Sequence, residues 1–280
     1  MYNMTQVNTL TSRAGTPLPL RDMAVEVLLH DSLAHIEQRQ EWHNTETLSI
    51  EALYCFPLPV QATLLGVEVT LNERVITAQV AERVAAEQAY EQAMVEGDSA
   101  LLLEQIEPGL YNLSLGNLLP GDRAVIRIRY ALPLQWMGRQ LRLALPTTVA
   151  PRYSNAAVIR LQPQHIPHSD PAIEHRYRLE MRVTGSLAAA DISSPSHAIS
   201  QSRTAAETRI TFADNTAAAD RDLIISLISA HAPCATANLA LAGSATLLHA
   251  VFPIPPVEKP QALALKVLVD CSGSMAGDSM

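Results

Sequence analysis

A chain of 280 residues with 48% hydrophobic content can bury one large core or two modest ones, and 17% charged residues argue against wholesale disorder. The net charge of −8 gives no general attraction for nucleic acid or for an anionic membrane surface, so neither is expected as a partner. Three cysteines, Cys55, Cys234 and Cys271, have no C-x-x-C or metal-finger spacing, which argues against a disulfide framework. The amino terminus lacks the basic and apolar blocks of a signal peptide, and no apolar run reaches the ~18 residues of a membrane span, so a cytoplasmic protein is expected.

Residues 1–17 are expected to form a flexible terminus. From Met23, the residues Val25, Val27 and Leu29 alternate with polar or charged neighbours, and "LLGVEVTLN" repeats the pattern before Asn72 and Glu73. Such alternation predicts antiparallel strands joined by turns. Around 82–96 the period changes: Val84, Ala85, Ala89, Tyr90, Ala93 and Met94 recur at helical spacing, and Gly97 follows as a stop signal. The expected helix packs Val84, Tyr90 and Met94 against a sheet and keeps Glu82, Glu87, Glu91 and Glu96 on a solvated face. Strands then resume, with Pro108-Gly109 and Pro120-Gly121 as turn dipeptides. Arg123, Arg127 and Arg129 alternate with apolar residues, which reads as one solvated strand face rather than an RNA-binding surface.

Past Pro133, Pro146 and Pro151 the strand signal thins, and the stretch up to His175 reads as an irregular excursion. Alternation returns in "RYRLEMRVTG", "ETRITFAD" and "DLIISLIS". The cluster "VFPIPPVEKPQ" is stiff enough to mark a domain boundary before a last apolar run, Leu263 to Val269.

One ordered series of features resembles a known module. Phe56-Pro57-Leu58-Pro59 form a turn, the helix carries Ala86 and Tyr90-Glu91, Gly97 precedes the strand Ala100-Leu101-Leu102, and Gly116-Asn117 leads to Pro120-Gly121. Together these resemble the VIT domain, the vault and inter-alpha-trypsin module. Read physically, most of them are structural. Pro57 and Pro59 cannot donate ladder hydrogen bonds and so belong at an edge or strand exit, with Phe56 and Leu58 free to be buried. Tyr90 reads as a packing residue with a polar tip. No nucleophile and base pair is evident, and the nine histidines lack H-x-x-x-H or H-E-x-x-H spacing.

After the last apolar run comes Asp270-Cys271-Ser272-Gly273-Ser274. This resembles the D-x-S-x-S loop of the metal-ion-dependent adhesion site in von Willebrand A domains. The resemblance implies that Ser272 and Ser274 bind a divalent ion such as Mg²⁺ directly while Asp270 acts through water. It also implies that a threonine and a second aspartate from later loops complete the site. Those loops would follow Met280, so the metal is expected in a longer form of the protein and not in this chain. Cys271, between the ligands, reads as a small packed side chain, as do Cys55 and Cys234.

The expected fold is therefore mainly β. A VIT domain over 18–145 forms an antiparallel β-sandwich with one inserted α-helix, and a β-rich connecting region over 146–252 packs with it. A proline-rich linker follows over 253–261, and 262–280 supply the first strand and metal loop of an incomplete α/β, Rossmann-like von Willebrand A domain. The expected function is a non-enzymatic scaffold that binds a protein ligand through Mg²⁺. The alternative is a presenting domain for a downstream hydrolase or phosphotransferase that uses Asp270. A dehalogenase-type site would need a second acid where Ser272 stands, and a pepsin-like site would need Asp-Thr/Ser-Gly in place of Asp270-Cys271-Ser272.

Overall fold

Period-two alternation is realised as strands along most of the chain. In the computed structural model, residues 6–7, 10–13, 16–78, 81–149, 175–231, 235–242, 245–252 and 266 are described. Short segments β1 (Gln6–Val7) and β2 (Leu10–Ser12) precede the long hairpin β3 (Leu20–His30) and β4 (Leu33–His43). Then come β5 (Ile50–Pro57), β6 (Thr63–Leu71) and β7 (Arg74–Thr77), the helix α1 (Arg83–Glu96), and β8 (Ala100–Glu107) with β9 (Leu110–Leu118). β10 (Arg123–Pro133), β11 (Gln140–Leu145) and β12 (Thr148–Val149) follow. The later strands are β13 (Arg176–Thr184), β14 (Asp191–Ser193), β15 (Ile199–Arg203), β16 (Glu207–Phe212), β17 (Ala217–Ala218) and β18 (Leu223–Ile228). A final hairpin pairs β19 (Thr236–Ala242) with β20 (Ala245–Val251). The excursion over 151–174, the proline cluster, Cys234, Cys271 and the D-x-S-x-S loop lie outside the described residues.

Two sheets face each other across the core. The larger runs in the order β15-β16-β13-β3-β4-β10-β6-β7, with β17 also paired to β13, and the smaller in the order β2-β5-β9-β8. Their inner faces are the alternate residues the pattern marks. Val25, Val27, Ile36, Ile126 and Ile128 of the large sheet share one buried cluster with Tyr54, Phe56, Leu113 and Leu115 of the small one. Such interdigitation of two inner faces is sandwich packing. A third sheet, β11-β18-β14, adds Leu141, Leu143, Leu223 and Ile225 to the same cluster.

The sandwich also buries a polar string. Gln38 and Gln40 point inward from β4 between Ile36 and Trp42, where a continuous apolar face would be simplest. Each is satisfied: Gln38 Nε2–H donates to Tyr130 Oη at 3.0 Å, and Gln40 Nε2–H donates across the sheets to Tyr54 Oη at 2.6 Å. Trp42 Nε1–H donates to Gln40 Oε1 at 3.2 Å, so no member of the string is left unpaired.

One junction breaks the antiparallel rule. β13 lies parallel to β3, with Arg178 opposite Ala24 and Thr184 opposite His30, while every other pairing among the described strands is antiparallel. Strands on both sides of residue 146 thus belong to one sheet. The turns behave as their residues demand: Gly109 and Gly121 adopt φ values of 81° and 82°, each directly after a proline. A β-carbon at Gly109 would also sit 2.7 Å from the Leu58 carbonyl oxygen.

Candidate functional site

The predicted site residues fall into two groups. Asp270, Ser272 and Ser274 lie outside the described residues. The motif positions are all described, and they fasten loops to the sandwich. Phe56 is buried and stacks on Tyr54 and Tyr111, Pro57 closes β5, and Pro59 accepts the Ala62 N–H in the turn that follows. Pro120 and Gly121 form a turn gripped from two sides. Asn44 Nδ2–H donates to the Leu118 and Leu119 carbonyls, and Asn72 Nδ2–H donates to Asp122 Oδ1.

Tyr90, Gly97 and Asn117 come together at the seat of α1. Gly97, at φ 83°, ends the helix in a Schellman arrangement, with its N–H directed to Met94 O and the Asp98 N–H to Ala93 O. Asn117, itself at φ 53°, donates from Nδ2 to Met94 O and Asp98 O, which ties the helix end to β9. Beside it, Gly116 leaves the space into which the helix drops: a β-carbon there would lie 2.0 Å from Met94 Sδ and 3.2 Å from Tyr90 Oη.

The expected packing face of α1 needs one correction. Tyr90 and Met94 do lean on β9, but Val84 is 57% exposed, and the half-buried stripe is Ala86, Glu87, Tyr90, Ala93 and Met94. At 100° per residue Val84 lies off that stripe. No residue of α1 is fully buried, so the helix rests on the sheet without sinking into it. Replacing Met94 by Asp is accordingly expected to cost about 2 kcal/mol, through an ill-solvated charge against Gly116. Urea denaturation checks this, and a change under ~0.5 kcal/mol would place Met94 among freely exposed residues.

Between α1 and the outer face of β5, β9 and β8 runs a cleft of about 260 Å³. Its chemistry follows from strand alternation. On β9 the inward residues are Leu113 and Leu115, which leaves Ser114 to face the helix, flanked by its cross-strand partners Leu53 and Leu102. Four carboxylates line the cleft, Glu51, Glu87, Glu91 and Glu104, against the guanidiniums of Arg13 and Arg83, a formal balance of −2. Glu51 accepts from Tyr90 Oη at 3.0 Å and pairs with Arg13 at 2.6 Å. Burial, reinforced by the Glu51 carboxylate, pushes the Tyr90 phenol well above its ordinary value, so Tyr90 donates and does not ionise. Arg83 pairs with Glu87 at 2.8 Å and Glu104 at 3.1 Å. Glu91 has no ion-pair partner among the described residues, and Ser114 Oγ, on a residue only 6% exposed, has no hydrogen-bond partner among them.

This cleft has only a faint trace in the sequence, and the motif reading passes over it. The available signal is "LYNLSLGN", in which Asn112, Ser114 and Gly116 alternate with leucines and so mark a strand face built for something other than an ordinary apolar core. Asn112, two residues along, is buried with both amide atoms unpartnered.

Other groups singled out in the sequence have structural roles where they are described. Arg123 and Arg127 do lie on the solvent side of β10, where they pair with Glu41 at 2.6 Å and Glu68 at 2.9 Å. The Arg123 hydrogen bond, with Arg39 beside it, holds the Glu41 carboxyl below its usual range. Burial pushes the Cys55 thiol up to about 12, which makes it an inert packing group. Among the described residues, no cluster of three or more His, Cys, Asp or Glu is arranged to hold a metal ion, and no helix is long and apolar enough to cross a membrane.

Residues 20–130, from the start of β3 into β10, match the Vault protein inter-alpha-trypsin (VIT) domain. This stretch is a VIT domain. The match contains the motif turns, the helix seat at Gly116-Asn117 and most of the cleft; Arg13 reaches the cleft from outside it. The match also accounts for one half of the large sheet, β3-β4-β10-β6-β7, to which β13, β15, β16 and β17 are added from beyond it.

Human protein mono-ADP-ribosyltransferase PARP4 is 32% identical over 149 residues, 53% of this chain and 9% of that protein. Mouse von Willebrand factor A domain-containing protein 5A is 26% identical over 292 aligned positions, 95% of this chain and 36% of that protein. The chain therefore spans well under half the length of either relative. A crystal structure of an M1 zinc metallopeptidase from Deinococcus radiodurans aligns with a TM-score of 0.40 at 11% identity, covering 89% of this chain and 48% of that one. A likeness of that size carries no argument.

Proposed function

We propose that this chain is a non-enzymatic protein-interaction module, in which the VIT sandwich is a rigid platform for a divalent-cation-dependent contact with a protein ligand. The observation that carries the reading is the alignment with the mouse von Willebrand factor A domain-containing protein, which extends far beyond the VIT domain to 95% of this chain. Asp270, Ser272 and Ser274 are the contact residues. Their donor set suits Mg²⁺, since two hydroxyls and a carboxylate are all hard oxygen ligands. Asp270, Ser272 and Ser274 would hold the ion, which would supply positive charge for an acidic group of the ligand protein. Ser272 and Ser274 would orient their hydroxyls to it, and Gly273 would let the loop turn tightly between them.

Ligand count sets the expected result. Two neutral hydroxyls and one carboxylate compete poorly with the hydration of Mg²⁺, so calorimetry on the 280-residue chain is expected to show negligible binding. In the intact protein, capture of a protein partner is expected to require Mg²⁺. A chelator or the double variant Ser272→Ala/Ser274→Ala should abolish it, and Cys271→Ala should leave it unchanged. Capture that survives both chelation and the double variant would remove the metal contact from the account. Tight Mg²⁺ binding by the 280-residue chain would contradict the ligand-count argument.

A further inference from the structure

The cleft beneath α1 combines features that a merely structural gap does not need. It is lined by two more carboxylates than guanidiniums, and one of those carboxylates, Glu91, is unpaired among the described residues. Its floor holds Ser114, a residue only 6% exposed, whose Oγ has no hydrogen-bond partner among the described residues. A hydroxyl oxygen that faces an open cleft without a protein partner is available to a ligand. Leu53 and Leu102 beside it supply apolar wall. A mainly polar cleft with two leucines in its wall, a hydroxyl and carboxylates matches a long basic side chain, whose methylenes pack on the leucines while its charged end finds acceptors.

The formal balance of −2 disfavours an anion. The two resident cations stay at the rim: the Arg13 and Arg83 side chains are 65% and 78% exposed, while the Glu51 and Glu104 carboxylates they pair with are 13% and 22% exposed. Arginine fits better than lysine, because its planar fork can engage a carboxylate and the hydroxyl together.

We infer that the cleft between α1 and the strands β5, β9 and β8 is a docking pocket for an arginine side chain on a protein partner. The inference rests on the protein-interaction reading, but it uses a different part of the chain from Asp270, Ser272 and Ser274 and needs no metal.

The probe is a short Gly/Ser peptide with one central arginine, titrated into the isotope-labelled 280-residue chain in the presence of a chelator and followed by amide chemical shifts. Shifts are expected at Tyr90, Glu91, Leu102 and Ser114. The lysine peptide should bind more weakly, and a peptide with glutamine in place of arginine should give no shifts. Glu91→Gln/Glu104→Gln should weaken arginine-peptide binding roughly tenfold, and Ser114→Ala, a near-isosteric change that leaves the fold intact, by roughly threefold. Equal binding of the glutamine peptide, shifts confined to other surfaces, or indifference to the double variant would overturn the pocket. Mg²⁺-dependent partner capture by the intact protein with no effect of the cleft variants would also sink the pocket while leaving the interaction reading intact. Cleft-dependent peptide binding without any metal-dependent capture would uphold the pocket and sink the metal contact.

Discussion

Trp42→Ala is expected to cost about 4 kcal/mol of folding stability, at the upper end of what a single core truncation takes away. The indole is completely buried between the two sheets, with the Tyr54 ring 5.9 Å away on the facing sheet and the His175 ring 5.7 Å away, edge-on. Truncation opens a cavity where both sheets are held apart by their own strands, so the walls cannot close on it. It also strips Gln40 Oε1 of its donor, in a string where Gln40 Nε2–H is committed to Tyr54 Oη. Trp42→Phe keeps most of the volume and loses the donor, so it should cost roughly 1–2 kcal/mol. Urea denaturation followed by circular dichroism separates the two variants. A loss below ~1 kcal/mol for the alanine variant would mean that the sheets are not packed through Trp42.

Gly185→Val is expected to cost about 3–4 kcal/mol, through the contact that ends the parallel pair of β3 and β13. Gly185 follows β13 with φ 73°, a conformation that a β-branched residue adopts only under strain. A β-carbon there would lie 2.4 Å from Asp31 Oδ1. That oxygen is not free to move aside, since it accepts both the backbone N–H and the Oγ–H of Ser186 at 2.8 Å. Asp31 is itself at φ 51° in the turn between β3 and β4, so both sides of the contact are conformationally committed. A double-mutant cycle isolates the clash: Gly185→Ala should cost less in an Asp31→Ala background than in the native protein. Equal costs would show that backbone strain alone matters. Hydrogen exchange should report the damage in β3 and β13 before the small sheet.

Residues that answer to local rules were legible without coordinates. The alternation in β3, β10 and β13 named their buried faces, the prolines before Gly109 and Gly121 named two turns, and Gly97 named the end of the helix. Each is decided by the residue and its neighbours in sequence: side chains alternate across a strand, proline sets φ, and glycine tolerates the left-handed region. Phe56 and Leu58 were legible for the same reason, because prolines at 57 and 59 leave only the intervening side chains to be buried.

What remained hidden depends on which elements become neighbours. A period-two pattern says which face of β13 is buried and nothing about the strand beside it, so its parallel docking on β3, far earlier in the chain, has no local signature. The seat of α1 was hidden because half of its apolar residues are alanines and they spread around the helix. Val84 was as plausible a contact as Met94 until Gly116 opened space under one of them and Asn117 tied down the helix end. The cleft is the furthest from sequence. Arg13, Glu51, Arg83, Glu91 and Ser114 come from separate strands, a loop and a helix, and only the packing of α1 across the small sheet turns these scattered residues into one polar pocket.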